Sequence, residues 1–75
     1  MKASDKVRAV LAVSGRKQTE LAEYLGMSRQ NLNTKLTRNS WPTDDMVRVA
    51  EFVGAKLGFF MPDGSTIFLD PPEDD

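Results

Sequence analysis

Two short helical patterns separated by a glycine occupy residues 18–36, in the segment QTELAEYLGMSRQNLNTKL. Their apolar positions follow helical spacing and comprise Leu21, Ala22, Leu25, Leu32 and Leu36. Because glycine adopts left-handed backbone conformations without steric cost, Gly26 predicts a sharp turn between the two helices. Ala22 is small where the later helix should cross the earlier one. The segment therefore predicts two helices that cross closely over a shared core.

Further helical patterns lie on both sides of this segment. Ser4 as the N-cap and Gly15 as the terminator predict a first helix, in which Val7, Val10 and Leu11 would face the core. Within the central segment, the patterns predict a second helix over about 17–25 and a third over about 28–38. Pro42 and Gly54 delimit a fourth helix. Its predicted apolar face consists of Met46, Val47, Val49, Ala50 and Val53.

The last third of the chain changes to short, aromatic-rich segments that favour β-strands, within about 56–69. The sequence Pro62-Asp63-Gly64 suits a type I turn followed by a left-handed residue, so we expect a three-residue hairpin loop with a glycine bulge. That register places Phe59 opposite Ile67. The chain is then a single domain over residues 1–70, followed by a disordered acidic tail at 71–75.

Both faces of this hairpin are apolar. The face expected to cover the helices carries Leu57, Phe59, Met61, Ile67 and Leu69. The other face carries Phe60 and Phe68, which would meet solvent beside an unpaired strand edge. A homodimer formed through Phe60 and Phe68 would bury both, whereas in the alternative the hairpin only closes the core of a monomer.

Composition excludes several classes of site. The chain has no cysteine and no histidine, which excludes disulfides and most zinc sites and is consistent with a cytoplasmic protein. It has no glycine-rich phosphate loop and no convincing carboxylate pair, so we expect no enzyme activity, no metal and no cofactor. No small-molecule ligand is implied. No apolar run approaches membrane-spanning length, and no signal peptide is recognisable at the N-terminus.

The net charge of −1 conceals a strong asymmetry. Residues 2–38 carry eight basic and three acidic side chains, a net of +5, whereas residues 39–75 carry two basic and eight acidic ones, a net of −6. Local potential rather than the total governs association with a polyanion. The half that contains the two crossing helices therefore favours a DNA partner, although scattered Lys and Arg are more often a solvated surface.

The third predicted helix has no acidic residue from Ser28 to Arg38 and uses Asn and Thr repeatedly, although both are poor helix formers. The amides of Gln30, Asn31 and Asn33 suit adenine, and Thr34 suits a base edge or a thymine methyl. Candidate phosphate contacts lie at helix starts or have long basic side chains. They are Lys17, Gln18, Thr19, Ser28, Lys35 and Arg38. Trp41 is expected to pack in the core or against the hairpin.

Residues of about 6–54 resemble the Cro-type (XRE) helix-turn-helix family of phage and bacterial regulators. The resemblance is carried by Gln18, Leu21-Ala22, Leu25-Gly26-Met27-Ser28, Leu32 and the later segment MVRVAEFVGAKL. It implies a mainly α fold: a four-helix lambda-repressor-like helix-turn-helix domain followed by a C-terminal β-hairpin. It also implies base readout by Arg29, Gln30, Asn33 and Thr34, with Gln18 holding phosphate and bracing the recognition helix, and dimerisation through C-terminal strands.

One position departs from the family pattern, since Lys35 stands where many members have the second apolar residue of this helix, and Leu36 is apolar instead. This predicts a slight rotation of the helix about its axis. The sequence thus predicts a regulator that binds double-stranded DNA, and most simply a repressor. The alternative is a protein-interaction module on the same scaffold, such as an antitoxin, with its partner surface at the hairpin.

Overall fold

The computed structural model describes residues 2–70 and contains four helices followed by a hairpin. The elements are α1 (Ala3–Ser14), α2 (Gln18–Tyr24), α3 (Arg29–Arg38), α4 (Thr43–Phe52), β1 (Gly58–Phe60) and β2 (Thr66–Phe68). This confirms the predicted fold class, four helices with a C-terminal two-stranded antiparallel sheet. The predicted disordered tail at 71–75 lies outside the described residues.

One core joins all four helices. It consists of Val7, Leu11, Leu21, Ala22, Leu32, Leu36, Val49 and Phe52. Leu21 is completely buried, and the burial of a leucine of this kind stabilises a fold by roughly 1.5–3 kcal/mol. The predicted apolar faces of α2 and α3 are therefore confirmed, with Leu25 partly buried at the edge of the core.

The start of α1 differs from the prediction. Lys2, not Ser4, is the N-cap residue, and the backbone N–H of Lys2 donates to the Asp5 carboxylate at 3.2 Å. Ser4 lies inside the helix and is 1% exposed. Because the buried stripe of α1 includes Ser4, it is displaced towards Val7 and away from Val10, which was expected in the core and is exposed.

The turn between α2 and α3 follows the prediction. Gly26 has a φ of +71°, a left-handed conformation that side chains other than glycine rarely adopt. The next N–H, that of Met27, donates to the Ala22 carbonyl at 3.0 Å. Ser28 then caps α3, since its hydroxyl accepts from the Asn31 N–H at 3.1 Å. The left-handed residue and these two hydrogen bonds set the direction in which α3 leaves α2.

The end of α4 holds a core residue that its apolar spacing did not predict. Phe52 is 9% exposed, and its ring lies 5.1 Å from that of Tyr24. The guanidinium of Arg16 lies 3.9 Å from the centre of the Phe52 ring and donates to the Phe52 carbonyl at 3.2 Å. The phenyl ring is therefore shielded partly by a cation rather than by aliphatic neighbours.

The hairpin has the predicted register, with Phe59 opposite Ile67. The Gly64 N–H donates to the Met61 carbonyl at 2.9 Å, and Gly64 has a φ of +91°. The observed turn at Pro62-Asp63-Gly64 therefore agrees with the predicted loop and with the register that such a loop favours.

The expected packing of one hairpin face on the helices is largely wrong. Leu57 and Leu69, beside α4 at the base of the hairpin, are half-buried. Phe59 and Ile67 are 59% and 56% exposed, and Met61 is also exposed. Each strand is only three residues long and, apart from half-buried Thr66, is exposed throughout, so beyond its base the hairpin adds little to the core. Phe60 and Phe68 are exposed as expected.

Candidate nucleic-acid interface

The outer face of α3 is exposed and free of acidic side chains. Leu32 and Leu36 point into the core, with 2% and 4% of their surface exposed. The exposed residues of the helix are Arg29, Gln30, Asn31, Asn33, Thr34, Thr37 and Arg38. All five residues predicted to contact bases are therefore at the surface of one helix, where the hydrophobic core fixes which side faces outward.

Thr34 makes a hydrogen bond within α3 that limits which contacts its side chain can offer to a partner. Its hydroxyl donates to the Gln30 carbonyl at 3.0 Å. A threonine hydroxyl has one proton, so in this rotamer it offers a partner only an acceptor and its methyl group. Thr34 is thus suited to apolar contact with a thymine methyl or to accepting a hydrogen bond from a base amino group.

A small cleft joins the start of α2 to α3. It is lined by Gln18 and Thr19 from α2 and by Arg29, Leu32 and Asn33 from α3. The fold thereby brings two predicted phosphate-contacting side chains next to two predicted base-contacting ones. This adjacency suits a duplex, in which the phosphate backbone lines the groove whose floor presents the base edges.

A carboxylate of the protein itself, that of Glu20, lies at the amino end of α2. The Glu20 carboxylate accepts from the Lys17 N–H at 3.0 Å and lies 3.7 Å from Arg16. The backbone amide of Lys17 therefore has a partner, and a negative charge lies in the first turn. Any phosphate contact at this end must therefore be made close to the Glu20 carboxylate.

Lys35 is placed differently from the other predicted phosphate contacts. Its ammonium group forms an ion pair with Asp45 and lies 5.2 Å from the centre of the Trp41 ring. The side chains of Lys35 and Asp45 are 14% and 24% exposed. The family position that is usually apolar thus still points partly inward, and its charge is compensated within the protein.

The basic surface is smaller than the charge of the N-terminal half implies. Within residues 2–70, three ion pairs compensate basic side chains, those of Arg8 with Asp5, Arg16 with Glu20 and Lys35 with Asp45. The remaining cations on α3 and at the start of α2 are Lys17, Arg29 and Arg38. Charge on this side is therefore concentrated at the two ends of α3 and at the start of α2.

The contact of Ser4 with the end of α3 was not predicted from the sequence. Ser4 belongs to α1 and hydrogen-bonds to the last turn of α3. Its hydroxyl donates to the Leu36 carbonyl at 2.7 Å and accepts from the Trp41 indole N–H at 2.9 Å. Ser4 is in helical phase with Val7 and Leu11, and this spacing could have revealed a buried hydroxyl. Trp41 packs against the core, as one of its two expected placements required.

Two other properties of residues 2–70 bear on function. They contain no group of three or more acidic side chains placed to hold a metal ion. None of their helices has the length and apolar character needed to cross a membrane.

Comparison with known proteins identifies a family for the chain. The family model for the bacteriophage CI repressor helix-turn-helix domain matches residues 7–61, a range that covers α2, the turn, α3 and α4. No curated protein and no solved structure matches the chain. The family match spans most of the chain, and the geometry of α2 and α3 agrees with it. The chain belongs to the bacteriophage CI repressor helix-turn-helix family, and the protein is accordingly a DNA-binding transcription regulator.

Proposed function

We propose that the protein is a transcriptional repressor that inserts α3 into the major groove of double-stranded DNA. The observation that supports this most strongly is the exposed face of α3, which has no acidic residue and carries amide, hydroxyl and guanidinium groups. Each of these groups can pair with a base edge in the major groove. A repressor acts when its bound domain blocks access to the site, which requires no activity beyond DNA binding.

The proposed base contacts are made by the first three turns of α3. They come from Arg29, Gln30, Asn31, Asn33 and Thr34. The proposed phosphate contacts come from Lys17, Gln18 and Thr19 at the start of α2, from the backbone beside Ser28, and from Arg38 at the end of α3. We leave Lys35 out of this set because Asp45 compensates its charge.

We further propose that the protein acts as a homodimer through its hairpin. Phe60 is 89% exposed and Phe68 is 52% exposed on one face of the hairpin, and Phe59, Met61 and Ile67 expose further apolar surface on the other face. Exposed aromatic clusters of this kind mark interaction surfaces. A symmetric dimer would present two α3 helices about one DNA turn, roughly 34 Å, apart on a near-palindromic site.

The test of DNA reading begins with selection of binding sites from random duplexes by the wild-type protein. With a selected site, Gln30→Ala should lose about 1–3 kcal/mol of preference for one base pair, while Arg38→Ala should weaken selected and scrambled duplexes alike. Lys6→Ala is the matched control, since it removes an equal charge from α1. Its binding should change least.

Salt dependence gives a second measurement. Because Lys17 and Arg38 are the cations proposed to contact phosphates, a protomer that neutralises about two phosphates should show a slope near −2 in log K against log salt. Arg38→Ala should reduce the slope by about one. Binding that is insensitive to salt, or the recovery of no preferred site, would overturn the proposed function.

The exposed hairpin also favours a second candidate, an antitoxin-like module that holds a protein partner on this surface. Phe60→Asp separates the two proposals. A repressor dimer predicts that the variant loses self-association and binds a two-half-site duplex more weakly. An antitoxin-like module predicts that the variant self-associates as the wild type does. It also predicts that the variant no longer holds a co-expressed protein partner that the wild type retains.

A further inference from the structure

The carboxyl end of α3 is tied to α1 by a buried hydroxyl. The Ser4 hydroxyl donates to the Leu36 carbonyl at 2.7 Å, and the indole N–H of Trp41 donates to the Ser4 hydroxyl at 2.9 Å. Ser4 is 1% exposed, so water cannot easily replace either partner. This hydrogen-bond chain connects the start of α1, the last turn of α3 and the segment before α4.

Asn39 adds a second connection at the same point. It is the residue after α3 and has a φ of +55°, the left-handed conformation of a helix C-cap. Its side-chain oxygen accepts from the Ser4 N–H at 2.9 Å. An amide in the first turn of α1, where helical partners are lacking, is thus satisfied by the end of α3.

Lys35 and Asp45 attach the same end of α3 to α4. Asp45 lies in the first turn of α4, and the Lys35 ammonium pairs with its carboxylate and lies 5.2 Å from the centre of the Trp41 ring. The other end of α3 is held differently, because Ser28 caps α3 from its own segment. Polar contacts from distant parts of the chain are therefore concentrated at the carboxyl end of the helix.

From this arrangement we infer that Ser4 and Trp41 are positioning residues for DNA reading, which set the angle at which α3 is presented. The inference rests on the proposed function. Hydrogen bonds to base edges require a defined helix orientation, whereas contacts of flexible cations with phosphates tolerate small rotations. Loss of the Ser4 chain should therefore reduce discrimination between sites and leave general affinity for DNA nearly unchanged.

The experiment compares the full-length wild type with Ser4→Ala and Trp41→Phe. Each is titrated with a duplex selected by the wild type and with a scrambled duplex of the same length, well below its melting temperature. The ratio of the two dissociation constants should fall about tenfold in Ser4→Ala, a factor that corresponds to 1.4 kcal/mol. Trp41→Phe keeps most of the ring and removes the N–H donor, so its ratio should fall less.

Val47→Ala is the matched control, because it removes buried methyl groups from α4 without touching the Ser4 chain. It should lower the melting temperature and leave the ratio of dissociation constants unchanged. An unchanged ratio in both folded variants, beside a selective wild type, would show that Ser4 and Trp41 serve stability alone. If Ser4→Ala does not fold, an unchanged ratio in Trp41→Phe is sufficient to overturn the inference. If the wild type itself has no preference, the proposed function fails and the positioning role fails with it.

Discussion

The four helices and the hairpin differ in how far their large apolar side chains are buried. In the helices, Leu21, Leu32 and Val7 are at most 2% exposed and form one core. In the hairpin, Phe60 is 89% exposed and Phe59 is 59% exposed. Both regions belong to one chain of 75 residues, and both are rich in apolar residues.

The helices thus bury most of their large apolar side chains against one another, whereas the hairpin leaves most of its own exposed. A two-stranded hairpin is marginally stable in water, and exposed aromatic side chains add no stability until something covers them. The helices carry the surface proposed to read DNA, whereas the hairpin carries the surface proposed to bind a second copy. Each can therefore be perturbed while the other is monitored.

The largest effect is expected in the helical core. Leu21→Ala should destabilise the fold by about 2–5 kcal/mol, since it removes packed methyl groups from a site with no exposure. Thermal or urea unfolding followed by circular dichroism measures this. Val13→Ala, at a position that is 90% exposed, should change stability by about 0.5 kcal/mol or less. Equal losses at the two positions would contradict the core described above.

The next effect tests the hairpin. Phe60→Asp should raise the dimer dissociation constant by roughly 30-fold, the factor for an interface residue that contributes about 2 kcal/mol. Sedimentation or light scattering at several protein concentrations measures it. Helical content should stay the same, because Phe60 contributes little to the core. Phe68→Asp should act in the same direction, and an unchanged mass in both variants would remove the dimer proposal.

A smaller effect is expected at the edge of the helical core, where the guanidinium of Arg16 covers the Phe52 ring. Arg16→Met should destabilise the protein by about 1–2 kcal/mol, because it removes the contact with the Phe52 ring and a hydrogen bond to the Phe52 carbonyl. Arg8→Met, which breaks an exposed pair with Asp5, is the control and should cost less than about 1 kcal/mol. Urea midpoints that fall equally would show that the ring contact contributes nothing.

The smallest effect is a pH dependence of the hairpin turn. Hydrogen bonds from the Ser65 hydroxyl and N–H lower the pKa of Asp63 below its usual value of 3.8. Since the folded pKa is the lower one, the stabilisation is present above pH 3.8 and is lost as the pH falls through the folded pKa. The stability difference between wild type and Asp63→Ala should therefore shrink on acidification, and a constant difference from pH 6 to pH 2.5 would contradict this.

The sequence was sufficient to predict the conformation at positions where neighbouring residues decide it. Gly26 and Gly64 both have the positive φ that their turns predicted, and Ser28 caps α3. The outer face of α3 also followed from sequence, because Leu32 and Leu36 determine which side of the helix is buried. Most of the candidate DNA surface was therefore predictable before any tertiary contact was known.

Other features depended on residues far apart in the chain. Ser4 suits a helix cap by type, yet its hydroxyl bonds to Leu36 and Trp41, 32 and 37 positions away. The basic side chain of Lys35 suits a phosphate contact, yet Asp45 compensates it. No local pattern reports such pairings, since each exists only once the helices have packed.

The sequence by itself determined the four helices, the turn between α2 and α3, the strand register and the exposed face of α3, because spacing and turn residues act over a few positions. Tertiary structure alone decided which polar groups are used internally and how far the hairpin stands from the helices. Those outcomes depend on how the helices and the hairpin pack, which brings together groups as far apart in the sequence as Ser4 and Trp41.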